Sequence, residues 1–161
     1  MLFRSGLSPL HSGFYPKVTS RDTTAAAVVS EAGLSPLDVD DIALVIRAFP
    51  IRVAGESGPL ANETSWETLS KEGHHQDKLL EFTTVTKKIR RVAHFDPEIV
   101  VRAITTNSPT KIFLNHLDYI RSQIKLEDEL ALDFVRNIES KIGKKIDYIG
   151  VSPANVQKTP D

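Results

Sequence analysis

Segments with helical spacing alternate along the chain with short apolar segments, and this alternation constrains the fold more than any other feature of the sequence. Residues 41–49 form a nearly continuous apolar run, which predicts a strand that is covered on both faces. Residues 111–115 and 145–151 predict two further strands. Because helices that alternate with apolar strands are typical of α/β proteins, we predict a mainly parallel sheet with flanking helices.

Three helices are predicted from capping residues and apolar spacing. Thr19 or Ser20 is a candidate N-cap for a helix over residues 23–29. A second helix is expected to begin at Pro97 and to run to about residue 107. A third, long helix that ends at Gly143 is predicted from an apolar stripe at steps of four. The stripe consists of Leu126, Leu130, Phe134, Ile138 and Ile142. Residues 50–62 are predicted to be a loop, and the last ten residues a tail.

Composition narrows the possible partners. The chain has 20 Lys and Arg against 21 Asp and Glu, so it has no overall field that would attract nucleic acid or an anionic membrane. It contains no cysteine, which excludes disulfides and thiolate metal sites. No apolar run is long enough to span a bilayer, and the start is too short and polar for a signal peptide. We therefore expect residues 1–161 to form one cytoplasmic domain without nucleic-acid or membrane partners.

One segment, residues 81–91, concentrates cations and hydroxyl groups; we call it the basic segment. The arginine fork matches a carboxylate or phosphate, lysine adds a point charge, and threonine hydroxyls can bind the remaining oxygens. The groups concerned are Thr83, Thr84, Thr86, Lys87, Lys88, Arg90 and Arg91. This chemistry predicts a small anionic ligand. An isolated cluster of this kind is also typical of a solvated basic strand or loop, and both interpretations stay open at this point.

Ligands of parallel sheets gather at the loops that follow the carboxyl ends of the strands. The candidate loops are residues 50–62, the segment after Leu114, and residues 150–153. His74 and His75 lie in a polar stretch without the carboxylate or cysteine partners of a convincing metal site, so we predict solvent exposure there. The sequence thus predicts a ligand site at the strand ends and no metal site.

Four blocks of sequence, in this order, resemble the adenylosuccinate synthetase family: residues 15–24, residues 47–53 with 57–60, residues 83–91, and Leu117-Asp118. The resemblance covers nearly the whole chain. It is strongest for the compact members of archaea and some phages, because the stretch from Tyr119 to Leu126 lacks a longer insertion. It implies the P-loop NTPase-like adenylosuccinate synthetase fold, with only the carboxyl-terminal half present.

The resemblance also implies an activity, in which IMP and L-aspartate are joined with GTP and magnesium in AMP biosynthesis by a homodimeric ligase. Three sets of residues match the positions at which the family binds its substrates. The IMP positions are Thr19, Val53 and Lys88. The positions of the loop that closes over aspartate are Thr84, Val85, Thr86, Lys87, Lys88, Ile89 and Arg90. The GTP positions are Arg90, His116, Leu117, Asp118, Gly150, Val151 and Ser152. On local sequence alone, Thr19 also fits a helix cap and Asp118 a turn.

The chain also departs from the family pattern. The family's glycine-rich phosphate loop, catalytic aspartate and catalytic histidine have no counterpart in these residues, so we assign no catalytic residue and expect the magnesium ligands in a missing amino-terminal half. The isolated chain is therefore expected to be inactive. His116 replaces the usual lysine, which opens the choice between GTP and ATP. The alternatives are a non-catalytic module that binds a purine nucleotide or a dicarboxylate, and a fragment of the phage-type 2-aminoadenylosuccinate synthetase.

Overall fold

The structure is a computed structural model that describes residues 15–17 and 22–160. Thr19 and Ser20 lie outside the described residues. The helices are α1 (Ala25–Glu31), α2 (Trp66–Glu72), α3 (Pro97–Asn107) and α4 (Glu129–Ile142), with short 3-10 helices at Pro36–Asp38 and Leu117–Tyr119. The strands are β1 (Ala43–Arg47), β2 (Ile51–Arg52), β3 (Glu63–Thr64), β4 (Arg91–Ala93), β5 (Lys111–Asn115), β6 (Tyr148–Ser152) and β7 (Asn155–Lys158).

The larger sheet has four strands in the order β1-β5-β6-β7. β1 pairs with β5 and β5 pairs with β6 in parallel, while β7 is antiparallel to β6. This arrangement confirms the prediction of a mainly parallel sheet. β7 corrects the prediction of a tail after β6. The chain turns at Pro153 and Ala154 and pairs back onto β6, a position at which proline fits because it presets a turn.

β1 differs from its prediction, because only one of its faces is buried. Leu44 and Ile46 are buried, whereas Ala43 and Val45 on the opposite face are half-buried. β1 also forms one edge of the described sheet. A strand alternates its side chains between two faces, so a continuous apolar run shows only that both faces tolerate burial.

The predicted stripe on the long helix is confirmed at Ile138 and Ile142, which are buried, and is wrong at Leu130. The buried residues of α4 are Ala131, Val135, Ile138 and Ile142, whereas Leu130 is 40% exposed and Leu126 precedes the helix. A step of four overshoots one helical turn by about 40°, so a stripe at constant steps of four drifts around the helix. The observed steps of four, three and four stay on one face.

The predicted loop at residues 50–62 and the stretch that follows it contain structure that the sequence did not indicate. β2, β4 and β3 form a three-stranded antiparallel sheet, and α2 begins after Ser65, whose hydroxyl accepts a hydrogen bond from Thr68 N at 3.0 Å. Strands of two or three residues are too short to show a period. The buried side chains of both sheets form one cluster, which includes Leu114 of the larger sheet, Val92 of the smaller one, and Trp66.

Helix ends follow their capping residues. Thr24 caps α1 by accepting a hydrogen bond from Ala27 N at 3.3 Å, which corrects the prediction of Thr19 or Ser20 as its cap. α3 begins at Pro97 and ends at Asn107, as predicted, and Asp96 accepts from Glu98 N at 3.0 Å. α4 ends at Gly143, as predicted, and this glycine has a left-handed conformation.

Candidate functional site

The carboxyl ends of β1, β5 and β6 lie at one edge of the larger sheet, because these three strands are parallel neighbours. β5 ends at Asn115, and the chain continues through His116 into the 3-10 helix Leu117–Tyr119, which contacts β6. We call the residues at these two strand ends the strand-end cluster: Asn115, His116, Leu117, Asp118, Gly150, Val151 and Ser152. The structure therefore brings together all six of the predicted GTP positions that lie in the strand-end segments.

Gly150 and Asn115 are in close contact within this cluster. A Cβ atom built at Gly150 would lie 2.6 Å from Asn115 Oδ1, closer than ordinary van der Waals contact. That oxygen is buried and accepts no hydrogen bond among the described residues. Asn115 was not among the predicted site residues; a polar side chain at the end of an apolar strand was the signal that could have indicated it. A buried acceptor without a partner can pair with a ligand donor.

His116 and Asp118 have unusual titration behaviour. Burial, followed by the charge of Arg47, lowers the pKa of His116 to about 4, so the imidazole is neutral near pH 7. Its ring centroid lies 4.9 Å from that of Tyr119. Burial raises the pKa of Asp118. A half-buried carboxylate is stabilised most by N–H donors that it can bind directly, and the N–H groups of a guanine edge are such donors.

The basic segment folds into a narrow hairpin. Phe82 and Ile89 form an antiparallel bridge, and Thr83 N donates to Lys88 O at 2.9 Å. The hydroxyl of Thr83 accepts from Lys88 N at 3.0 Å and bonds the hydroxyl of Thr86 at 2.6 Å. The hydroxyls of Thr83 and Thr86 are therefore used within the turn. By contrast, the exposed hydroxyl of Thr84 makes no hydrogen bond to a described residue.

The tip of this hairpin is exposed, as a loop that closes over a ligand requires. Its exposed side chains are those of Thr84, Val85, Thr86, Lys87 and Lys88, and Val85 is 89% exposed. This exposure leaves the apolar surface of Val85 accessible to a ligand or to another segment. The interpretation as a solvated loop therefore fits the tip of the hairpin. It does not fit the base, because the side chain of Arg90 there is largely covered.

Arg90 is held at the base of the hairpin with its fork free. Its side chain is only 16% exposed, and Nε donates to Phe82 O at 3.3 Å and lies 3.8 Å from Glu81 Oε2. Its backbone oxygen accepts from Trp66 Nε1 at 2.7 Å. The two terminal nitrogens make no hydrogen bond to a described residue. These donors can therefore bind a carboxylate in a bidentate manner.

Arg91 has a different, structural role. It makes a bidentate pair with Glu63 at 2.7 and 2.6 Å and donates to Gly58 O at 2.8 Å, so it braces the loop that carries Val53. The hydrogen bonds to Glu63 raise the pKa of the Arg91 guanidinium. Val53 is 47% exposed, and Lys88 is exposed at the tip of the hairpin. The third predicted IMP position, Thr19, lies outside the described residues.

The described residues form neither a metal-ligand cluster nor a membrane-spanning helix. Between residues 22 and 160 and at residues 15–17, no three His, Asp or Glu side chains are arranged to hold a metal ion. No described helix is long and apolar enough to cross a membrane. His74 is exposed as predicted, but His75 is half-buried with Nε2 3.1 Å from Tyr119 O, which corrects the prediction of solvent exposure for that residue.

Comparison with known proteins places this arrangement in a family. The family model of adenylosuccinate synthetase matches residues 6–128. The chain belongs to the adenylosuccinate synthetase family. The adenylosuccinate synthetase of Thermococcus sibiricus is 37% identical over 154 residues, and the match covers 92% of this chain and 43% of that protein. That of Methanocaldococcus jannaschii is 35% identical, with 91% and 42% covered.

Solved structures of adenylosuccinate synthetase relatives agree with the fold. The succinoaminodeoxyadenylate synthetase of cyanophage S-2L, bound to dGMP and to dATP as an energy donor, matches with a TM-score of 0.69 and 31% identity over 98% of this chain and 44% of that chain. The adenylosuccinate synthetase of Plasmodium falciparum matches in fold with a TM-score of 0.76, 22% identity, and 97% and 48% coverage. The chain therefore spans less than half of the length of the proteins that it matches, and the predicted family and fold are confirmed.

Proposed function

We propose that this chain is the ligand-binding, carboxyl-terminal part of an adenylosuccinate synthetase, a GTP-dependent ligase that joins IMP and L-aspartate to form adenylosuccinate. The observation that carries the proposal is the state of Arg90. The residue lies inside the matched region, is largely covered, and makes no hydrogen bond to a described residue through its two terminal nitrogens. A covered guanidinium with an unused fork suits a small dicarboxylate ligand.

The proposed roles follow from exposure and hydrogen bonding. Arg90 and the hydroxyl of Thr84, which makes no hydrogen bond to a described residue, would bind the aspartate carboxylates, while Lys87 and Lys88 add positive charge at the exposed tip. Val85 and Ile89, which are 89% and 49% exposed, would pack against the bound substrates. Thr19, Val53 and Lys88 are assigned to IMP by the resemblance.

The strand-end cluster would hold the guanine base of GTP. The Asp118 carboxylate can accept from two adjacent N–H groups of guanine, and the half-buried environment strengthens such hydrogen bonds. Gly150, Val151 and Ser152 would form the opposite wall, where the absence of a side chain at Gly150 leaves room for Asn115. Leu117, which is fully buried, fixes the turn that presents Asp118 and His116.

The groups that bind the transferred phosphate are proposed to belong to the part of the relatives that the chain does not cover. The 161 residues contain no glycine-rich phosphate loop, and the described residues include no group of three His, Asp or Glu side chains that could hold a metal ion. We propose that this other part brings the phosphate loop, the magnesium ligands and the homodimer contacts of a cytoplasmic enzyme of purine biosynthesis. The 161-residue chain alone should then be inactive.

A second candidate is the phage-type reaction, in which a guanine nucleotide replaces IMP. It is favoured by the 31% identity to the cyanophage enzyme, whose structure holds dGMP and dATP, and by the neutral imidazole of His116 in the strand-end cluster. Product analysis separates the two. Turnover of IMP with GTP supports the leading proposal, whereas turnover of dGMP with dATP in its place supports the phage-type reaction.

Reconstitution tests the leading proposal. The chain would be co-expressed with that part of the Thermococcus sibiricus relative which it does not cover, and adenylosuccinate formation would be followed in the presence of IMP, L-aspartate, GTP and magnesium. Arg90→Ala should lower kcat/KM for aspartate by about 100-fold, because a bidentate charged contact is lost. Arg136→Ala, at an exposed arginine of α4, is the matched control and should leave activity unchanged.

Two results would contradict this proposal. Adenylosuccinate formation by the 161-residue chain alone would show that the phosphoryl-transfer groups lie within it. Equal activity of Arg90→Ala and Arg136→Ala would remove the assignment of Arg90. Stabilisation of the isolated chain by a purine nucleotide, combined with no activity after reconstitution, would instead support the non-catalytic binding module.

A further inference from the structure

Glu81 holds three separate elements together, although neither the family resemblance nor the charge pattern assigns it a role. Its Oε1 atom pairs with the guanidinium of Arg47 at the carboxyl end of β1 and accepts a hydrogen bond from Tyr119 Oη at 2.7 Å. Its Oε2 atom lies 3.8 Å from Arg90 Nε. One carboxylate therefore contacts the sheet, the 3-10 helix that carries Asp118, and the arginine at the base of the hairpin.

The position of these contacts protects them from solvent. The side chain of Glu81 is 19% exposed, that of Arg90 16% and that of Arg47 26%, whereas the exposed ion pair between Arg136 and Asp133 has side chains that are 64% and 65% exposed. Ion pairs that are shielded from water are screened less by salt and hold a more defined geometry. Burial, and then the hydrogen bond to Glu81, also raise the pKa of Tyr119, so its hydroxyl stays a donor at neutral pH.

A second route reinforces the link. Trp66 donates its indole N–H to Arg90 O, and its ring meets that of Tyr119 at a centroid distance of 5.9 Å in an edge-on arrangement. Tyr119 also stacks on Phe49 at 6.4 Å. The base of the hairpin and the 3-10 helix thus share one packed group of side chains. A conformational change in one of them can therefore be transmitted to the other through these contacts.

We propose that Glu81 is a positioning residue that orients the Arg90 fork and couples the basic segment to the turn that carries Asp118. A ligand that orders the turn through Asp118 would, by way of Tyr119 and Glu81, also order the hairpin, and the reverse follows because such coupling is reciprocal. The inference rests on the proposed function for the identity of the two ligands, but the contact network itself can be tested without either.

Hydrogen–deuterium exchange on the 161-residue chain tests this directly. In Glu81→Gln the charge is lost, and in Tyr119→Phe only the hydroxyl that reaches Glu81 is lost. Both variants should raise amide exchange about tenfold in residues 82–90, and Glu81→Gln also in residues 116–121, relative to the unchanged chain. The matched control is Glu63→Gln, which breaks the pair with Arg91 but touches neither Tyr119 nor Arg90.

The distribution of the exchange distinguishes positioning from a general loss of stability. Exchange in β5 and β6 should stay within about twofold of the unchanged chain, because local opening leaves the core intact. An equal rise in β5, β6 and the hairpin would show a merely structural role and overturn the proposal. Exchange in residues 82–90 that is unchanged in both variants would also overturn it.

Added ligand separates the failure of this inference from the failure of the proposed function. With saturating GTP, the unchanged chain should gain protection in residues 116–121 and in residues 82–90, and Glu81→Gln should keep the first and lose the second. Protection of both segments in Glu81→Gln would contradict the coupling. If GTP protects neither segment of the unchanged chain, the assigned nucleotide is wrong, and the exchange rates without ligand still decide the role of Glu81.

Discussion

Gly150 on β6 lies so close to Asn115 on β5 that a Cβ atom at position 150 would be 2.6 Å from Asn115 Oδ1 and 3.3 Å from Asn115 Cα. The second distance involves the backbone of a central strand, which cannot move away as a flexible side chain could. Glycine at position 150 is thus required by the approach of two neighbouring strands. The same contact buries Asn115 Oδ1, which accepts no hydrogen bond from any described residue.

Gly150→Ala should therefore destabilise the chain by about 1–3 kcal/mol, the usual cost of forcing extra atoms into a packed site. Chemical denaturation followed by circular dichroism measures this change. Ser152→Ala, at an exposed position two residues further on, should change stability by less than about 0.5 kcal/mol. A Gly150→Ala chain as stable as the Ser152→Ala control would show that the strands separate easily.

Asn115→Ala should separate stability from binding. Because Asn115 Oδ1 is buried and has no hydrogen-bond partner among the described residues, its removal relieves an unsatisfied acceptor, and we expect the free energy of unfolding to change by less than about 1 kcal/mol. If the amide instead binds the nucleotide, the affinity for GTP should fall about tenfold, as measured by calorimetry. Unchanged GTP affinity would exclude Asn115 from the nucleotide site.

Two neighbouring threonines should behave differently. Thr83→Val removes the acceptor for Lys88 N and the partner of Thr86, so it should loosen the hairpin and raise exchange of the Lys88 amide about tenfold. Thr84→Val, at an exposed hydroxyl that makes no hydrogen bond to a described residue, should leave that exchange unchanged and weaken aspartate use in the reconstituted enzyme. The opposite pattern would show that Thr84 has the structural hydroxyl and Thr83 the ligand-binding one, which would contradict both assignments.

His116 should make the chain sensitive to acid. Burial lowers its pKa to about 4, whereas an unfolded histidine titrates near 6.5, so between these values the unfolded chain binds a proton that the folded chain does not. Stability should fall as the pH decreases from about 6.5 to about 4, and His116 should have no effect above that window. The loss should be about 1–2 kcal/mol, less than the full shift implies because the ring is partly exposed.

Urea denaturation at several pH values measures this effect. His116→Gln should have a flatter stability profile than the unchanged chain between pH 6.5 and 4, because glutamine does not titrate there. The difference between the two profiles isolates His116 from the carboxylates that titrate in the same range. Parallel profiles would show that the imidazole is accessible to protons in the folded chain.

The sequence predicted those features that depend on strong local signals. The Asp96-Pro97 start of α3, the Gly143 end of α4, and the parallel order of β1, β5 and β6 depend on capping chemistry and on apolar runs, and all were confirmed. β2, β3 and the tail strand β7 could not be predicted, because strands of two to four residues are stabilised by partners that are distant in sequence.

The site was predicted in its parts but not in its connections. Cations and hydroxyls near residue 88 indicated an anion site, yet nothing local indicated that Thr83 and Thr86 bond each other, or that Arg91 pairs with Glu63. Those contacts span the hairpin turn and 28 residues of sequence, respectively. Glu81 was missed for the same reason, since its partners Arg47 and Tyr119 come from two different elements.

The most direct test of the central claim is calorimetric titration of the 161-residue chain and its Asp118→Asn variant with GTP and with ATP. The Asp118 carboxylate can accept from two N–H groups of guanine, whereas asparagine offers one acceptor oxygen and a repelling amino group. We expect GTP to bind the unchanged chain and Asp118→Asn to weaken it at least about tenfold, while Asp133→Asn on the exposed face of α4 changes nothing. Equal GTP affinity in all three chains, or no GTP binding by the unchanged chain, would contradict the assignment of the strand-end cluster as a guanine site.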